Sequence, residues 1–262
     1  MDACGIPVEF SKGEAGYGQH EINLRFADAL EMADRQVIYK NGVKEIADQE
    51  GRAVTFMAKY DIADVGSSCH LHVSLTDHAT GNPVFDDPAG TSEGSVRFRH
   101  FLGGIMAASR ELALCWAPTV NSYKRYQPDS WAPTAIAWGI DNRTCGYRIV
   151  GRGTQTRLES RIPGADVNAY VAYAALIAAG VRGIEQGIEP PEPVHGNAYT
   201  ADVPRIPSTF AEAIDAFAAS EAAVEIFGDD VHHHLLNAAR QEWAAANRAV
   251  TDWERHRYFA QY

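Results

Sequence analysis

The sequence predicts an α+β fold with an antiparallel sheet. Three observations carry this. Short runs rich in β-branched and aromatic residues read as strands, and longer stretches with apolar residues three and four apart read as helices. The two kinds of element do not alternate in the regular β-α-β manner of a parallel sheet.

The elements follow in order. Residues 4–12, CGIPVEFSK, read as a short strand, followed by a glycine-rich segment, GEAGYGQHEINL. Residues 27–50 predict a long amphipathic helix ending near Gly51, with Leu30, Ala33, Val37 and Ile46 among its inward positions. AVTFMAKY (53–60) predicts a strand by its β-branched and aromatic content. HLHVSL (70–75) predicts another, closed by a polar turn at DHATGN (77–82). SVRFRHFLGGIMAASRELALCW (95–116) predicts one helix, with Phe98, Phe101, Leu102 and Ile105 on its apolar face. Residues 117–143 read as loop, with many aromatics and three prolines. GYRIV (146–150) and TRLESRI (156–162) predict two strands joined by a turn through GRG, and 167–187 an Ala-rich buried helix. A proline-rich connector spans 189–207. Two or three helices finish the chain, the last containing EWAAANRAVTDWERHRYF. HHH at 232–234, next to a helix start after GDD, reads as surface decoration.

The 262 residues suffice for one large domain, and 46% hydrophobic with 22% charged residues is ordinary for a soluble globular protein. A net charge of −11 argues against nucleic acid as the main partner, because phosphate backbones need a basic surface. It leaves room for a small anion in a local arginine cluster. Cys4, Cys69, Cys115 and Cys145 are scattered, without a C-x-x-C pair. No signal peptide and no bilayer-length apolar run is found. The expectation is a reduced, cytoplasmic protein with free thiols and no membrane partner. Cys69, beside His70, reads as a packed thiol rather than a ligand.

Alternation along a strand puts His70, His72 and Ser74 on one face, with Leu71, Val73 and Leu75 on the other. In TRLESRI, Arg157, Glu159 and Arg161 share a face. If both polar faces line one cavity, the result is a metal and anion site. A His-x-His pair alone is often no more than a wet strand face. Three further features bear on it. Glu14 and Glu21 flank a glycine-rich loop with Gln19, a pattern suited to Mg²⁺ or Mn²⁺. Arg125, Arg143, Arg148, Arg152, Arg157 and Arg161 crowd into a short stretch of an acidic chain, and guanidinium forks bind phosphate and carboxylate. NSYKRYQPDSWAP (121–133) reads as a lid. Divalent metal, arginines and no P-loop point to phosphoryl chemistry outside the P-loop fold.

Together GEAGYGQHEI, VTFMAKY with GSSCHLHVSL, NSYKRYQP..WAP, DNRTCGYRI, RLESRIPGADVNAY and TDWERHRYF resemble the catalytic domain of the glutamine synthetase family, in the family's order and across the whole chain, 1–262. The resemblance implies a curved antiparallel sheet lined by active-site residues and flanked by long helices. It implies Glu14 and Glu21 as ligands of a first metal, and His70 and Glu159 of a second. His72 would contact phosphate and Ser74 the nucleotide. Arg143, Arg148 and Arg157 would surround the nucleotide phosphates and the reacting centre, while Arg125, Arg161 and the backbone of Gly66 would hold glutamate. The implied activity is ATP-dependent amide formation from L-glutamate through a γ-glutamyl phosphate, with two or more Mg²⁺ or Mn²⁺ ions, in a ring-shaped homo-oligomer.

The sequence departs from the family in two ways. The matched motifs begin after the position where the family has its N-terminal β-grasp-like domain and a strand giving each metal one more glutamate, so these are expected to be missing. The expectation is a truncated domain that binds metal weakly and turns over poorly. Trp131 stands where ammonia-using members carry a lid glutamate that attracts ammonium and takes its proton. An indole cannot accept a proton, but its face suits a cationic or alkyl amine. The acceptor expected is therefore a primary amine or polyamine rather than ammonia. The alternative is that Trp131 only packs the lid, with Asp129 or a neighbouring acid serving ammonium. Val65, where ammonia-using bacterial members often have asparagine, is a smaller departure. Two further readings are a metal-dependent hydrolase using His70, His72 and Glu159, and a catalytically impaired member acting as a sensor. The first leaves the arginines and the lid unexplained, and the second is disfavoured by how many motif residues remain competent.

Overall fold

The structure, a computed structural model, describes residues 1–87, 89–90, 93–127 and 130–261. β1 (Val8–Gly13) and β2 (His20–Leu24) form an antiparallel hairpin that pairs Lys12 with Glu21 and Gly13 with His20. The end of the glycine-rich segment is thus a strand rather than loop. α1 (Ala29–Gln49) follows and stops at Glu50, with Gly51 left-handed at φ 63°. A glycine takes that conformation without a Cβ penalty, which is why the chain can turn there. Of the four expected inward positions only Ala33 is buried; Leu30, Val37 and Ile46 are 69%, 45% and 52% exposed. The helical period is present, but only a narrow stripe of α1 meets the rest of the chain.

The strand expected at 53–60 does not form: AVTFMAKY lies outside any sheet. Its end is tied down by Asn121, whose side chain accepts from the Lys59 N–H (2.9 Å) and donates to the Lys59 carbonyl (2.8 Å). Strand propensity reflects fit to a pleated, half-buried surface, and among the described residues no neighbouring strand supplies one.

The main sheet holds β3 (Leu71–Val73), β4 (Trp138–Ile140), β5 (Tyr147–Val150) and β6 (Arg157–Ser160), in the order β3-β6-β5-β4. β3 and β5 both pair antiparallel with β6, but β4 pairs parallel with β5. The sheet is therefore mixed, which corrects the antiparallel expectation. β4 and a short helix lie in the stretch read as loop; three residues are too few to show a period.

The helix expected at 95–116 is broken into α2 (Val96–Ala108) and α3 (Ala113–Trp116). At the break the Ser109 hydroxyl donates back to the Ile105 carbonyl (2.7 Å) and lies 2.6 Å from the Tyr147 hydroxyl on β5. A serine that bonds its own preceding turn competes with helix continuation. α4 (Val120–Lys124) carries a capping box between Thr119 and Ser122. α5 (Ala169–Gln186) is capped by Asn168, whose side chain accepts from the N–H groups of Tyr170 and Val171. α2 and α5 cross backbone against backbone: a Cβ on Gly104 would lie 2.2 Å from the Ala179 carbonyl oxygen and 2.5 Å from Gly183 Cα. Phe98, Phe101, Leu102 and Ile105 are fully buried, as their spacing predicts, and share one core with Leu71, Tyr147, Ile149 and Leu158 from the sheet's inner face.

The chain ends in α6 (Phe210–Ala218), α7 (Glu221–Arg248), which is kinked at Gly228 (φ 72°, ψ 163°), and α8 (Asp252–Tyr258). The final helix expected across 242–259 is two helices, because Thr251 and Glu254 form a capping box that starts a new one. HHH follows the break at Gly228, where the second half of α7 starts beside GDD as expected, but His232 corrects the surface reading: it is buried, stacked on Phe217 at 4.7 Å, with Nε2 2.9 Å from the Phe217 carbonyl. Only His233 and His234 are exposed. Among the described residues no helix is long and apolar enough to cross a membrane, and the four cysteines are free.

Candidate active site

The outer face of the sheet is polar because of its pairing. His72 on β3, Glu159 on β6, Arg148 on β5 and Gly139 on β4 lie in one row across the strands. The adjacent rows, Leu71–Ser160–Tyr147 and Val73–Leu158–Ile149, point to the core. One residue of slip would exchange the two faces, so the hydrophobic rows fix the polar one.

Glu159 is the centre of this face. It is only 2% exposed, and a buried carboxylate needs partners. Arg161 Nη1 (2.5 Å) and Arg148 Nη1 (2.7 Å) donate to its two oxygens, and His70 Nδ1 lies 3.2 Å away. Burial, reinforced by the guanidiniums of Arg161 and Arg125, holds His70 well below the ordinary imidazole range. His70 is therefore neutral and keeps a lone pair. His72 is lowered too, first by burial; Glu159 opposes the shift and Arg157 adds to it. Arg157 Nε donates to His72 Nδ1 at 3.4 Å.

The remaining residues sit around this centre. Arg125, 3% exposed, donates from Nη1 to the Ile162 carbonyl (2.7 Å) and from Nη2 to the Arg161 carbonyl (3.1 Å). It therefore braces the end of β6 as well as lying beside the site. Gly66 packs on the stem of Arg125; a Cβ there would meet the Ala58 carbonyl oxygen at 2.6 Å and Arg125 Cγ at 2.8 Å. Arg143 is exposed, and its carbonyl accepts from Arg161 Nε (3.2 Å). It lines an open cavity of about 470 Å³ together with Asp141 and His195. Ser74 lies just beyond β3 and is exposed. Cys69 packs half-buried against the core, and burial pushes its thiol up to about 11, as suits a packed thiol.

Glu14 and Glu21 form a second cluster, on the hairpin. Lys12 Nζ bridges them, 2.8 Å from Glu14 and 3.4 Å from Glu21. The hydrogen bond from Lys12 holds Glu14 below the usual carboxylate range, and the same contact raises Lys12. The hairpin is stitched to the site's rim by Gln19, whose amide donates to the Gly66 carbonyl (3.0 Å) and to Ser67 Oγ (3.1 Å).

Trp131 is 67% exposed and has φ 58°. A bulky side chain in the left-handed region is strained by about 1–3 kcal/mol, and such strain concentrates at functional sites. Asp129, the alternative for the lid's proton chemistry, lies outside the described residues, as does Pro128.

Two site residues had no sequence signal. Asp141, also left-handed at φ 50°, accepts Arg148 Nε at 2.9 Å and ion-pairs with its Nη2. Lys12 becomes visible only once the hairpin register is known.

Each pair's donor chemistry suits a divalent cation: two carboxylates in one, a neutral imidazole and a carboxylate in the other. Neither pair is a complete ligand set by itself, and water would fill the remaining positions of an ion held there. Among the described residues no group of three or more His, Cys, Asp or Glu could hold a metal ion, and each pair already faces a cationic side chain.

The catalytic-domain profile of glutamine synthetase matches residues 1–258. The chain belongs to the glutamine synthetase family. It is 51% identical over 259 residues to a gamma-glutamylethanolamide synthetase of Streptomyces coelicolor, covering 99% of this chain and 55% of that protein. It is 41% identical over 262 residues to a glutamate–isopropylamine ligase of a Pseudomonas species, covering 98% and 57%. The solved structure of a GmaS–ADP complex matches with a TM-score of 0.90 at 31% identity, over 99% of this chain and 61% of that one. The chain thus spans little more than half the length of these glutamine synthetase relatives.

Proposed function

We propose that this chain is the catalytic domain of an ATP-dependent ligase that joins the γ-carboxylate of L-glutamate to a primary amine. Membership of the glutamine synthetase family supports the ligase class. The observation that carries the amine reading is Trp131, an exposed indole on a left-handed backbone. The names of the Streptomyces and Pseudomonas relatives, which both denote amide-forming enzymes using amines, support it.

A carboxylate is a poor acyl donor because oxide is a poor leaving group. A γ-carboxylate oxygen of glutamate attacks the γ-phosphorus of ATP, and ADP leaves with the bridging oxygen. The amine nitrogen then attacks the carbonyl carbon of the γ-glutamyl phosphate, and phosphate departs, carrying away the proton the nitrogen loses. Arg143, Arg148 and Arg157 neutralise phosphate charge, and Arg148, held in place by Glu159 and Asp141, does so without reorganising during the reaction. His72, held neutral, offers a hydrogen bond to phosphate, and Ser74 one to the nucleotide. Arg161, Arg125 and the Gly66 backbone hold glutamate. Glu14 with Glu21, and His70 with Glu159, would hold part of the coordination of Mg²⁺ or Mn²⁺, and the bound ion would supply Lewis-acid stabilisation to the phosphoryl group. The Trp131 face receives the alkyl amine.

The test is phosphate release from ATP and glutamate by the protein carrying this chain, with ethanolamine, isopropylamine, putrescine, spermine or ammonium as acceptor. Amine-dependent release that drops at least tenfold in W131E, while ammonium use rises, is the expected result. Ammonium serving as well as any amine would return the reading to ordinary glutamine synthesis.

A further inference from the structure

The cation already present between Glu14 and Glu21 has a consequence for that pair. Lys12 and Glu21 are direct partners across the hairpin, and Glu14 is two residues beyond Lys12. Side chains two apart on a strand share a face. Glu14 continues the ladder, donating its N–H to the Gln19 carbonyl at 2.9 Å, so the three side chains converge on one side. The Lys12 ammonium occupies the point where they meet.

The rest of Glu21 is also engaged. Its Oε1 accepts from Asn23 Nδ2 at 2.6 Å, while Oε2 faces Lys12. An ion held by both carboxylates must therefore take the place of the ammonium. The two cannot share it, because like charges repel at that distance and the carboxylate oxygens are too few for both. Lys12 is half-exposed on a flexible stem, so it can swing into solvent.

We propose that Lys12 is a built-in competitor for the cation site of Glu14 and Glu21. It holds the two carboxylates together when no divalent ion is bound, and it lowers the site's affinity when one is. A doubly charged ion gains more from two carboxylates than the ammonium does, so divalent ions displace it and monovalent ions do not. The inference rests on the reading of Glu14 and Glu21 as a cation site, and it assigns Lys12 a role in setting that site's affinity and charge selectivity.

The experiment is a Mn²⁺ titration of this chain followed by electron paramagnetic resonance of the free ion, for wild type, K12M, K12R, E14Q and K12M/E14Q. Circular dichroism confirms that each variant is folded. Removing one like charge a few ångströms from the ion should tighten binding about tenfold in K12M. K12R, which keeps the charge, should bind as wild type does, and K12M/E14Q should lose the gain. If E14Q binds Mn²⁺ as tightly as wild type, the ion lies elsewhere and the cation reading of the pair falls, and this inference with it. If E14Q loses binding but K12M binds no tighter than wild type, the role of Lys12 alone is overturned. Binding that stays undetectable in K12M overturns it as well.

Discussion

Glu159 and the Glu14–Glu21 pair are both clusters of carboxylate and cation, yet they are built differently. Glu159 is 2% exposed, pinned by Arg148 and Arg161, and sits on a strand whose other face is core. Glu14 and Glu21 keep 31% and 38% side-chain exposure, share one lysine, and sit on a hairpin tied to the rest largely through Gln19 and Tyr17. Packing fixes the first geometry, since moving Glu159 would leave two guanidiniums short of a carboxylate. Only weak, solvated contacts fix the second. The buried centre is therefore rigid and the hairpin pair adjustable.

The largest effect should come from E159A. Removing one partner of a buried ion cluster costs about 3 kcal/mol or more, because the remaining charges lose their compensation. Urea unfolding should show it, and a loss under 1 kcal/mol would mean the sheet face is not the rigid half. G66A comes next. Its Cβ must displace Arg125 or the Ala58 carbonyl, an overpacking worth about 1–3 kcal/mol, read in the same experiment. Q19A should cost about 1 kcal/mol. It should speed hydrogen exchange across Val8–Leu24 while leaving β5 and β6 protected; equal loosening of both would erase the distinction. E21A should be smallest, within about 0.5 kcal/mol, as for exposed ion pairs generally. A larger loss there would show that the hairpin pair holds the fold.

The same contrast explains what could be read from the chain. α2, α5 and the polar faces of β3 and β6 were legible, because buried elements show their period in which residues are apolar. Arg157, Glu159 and Arg161 followed from alternation alone. Leu30, Val37 and Ile46 of α1 stay exposed because a helical period does not say how wide a stripe is covered. AVTFMAKY has strand composition without a strand partner, and β4 was too short to show a pattern. Asp141 and Lys12 act through register and backbone conformation, which no local motif announces. The parallel pairing of β4 with β5 likewise depends on tertiary contacts rather than on the residues of either strand.

The account rests on this face being a site for ATP, glutamate and an amine. The most direct measurement is acceptor-dependent phosphate release by the protein carrying this chain, at saturating ATP and glutamate. The account predicts release that requires an acceptor, is fastest with an alkyl amine such as ethanolamine or isopropylamine, and drops at least tenfold in R157A. Release that is independent of any acceptor, or fastest with ammonium, would contradict it.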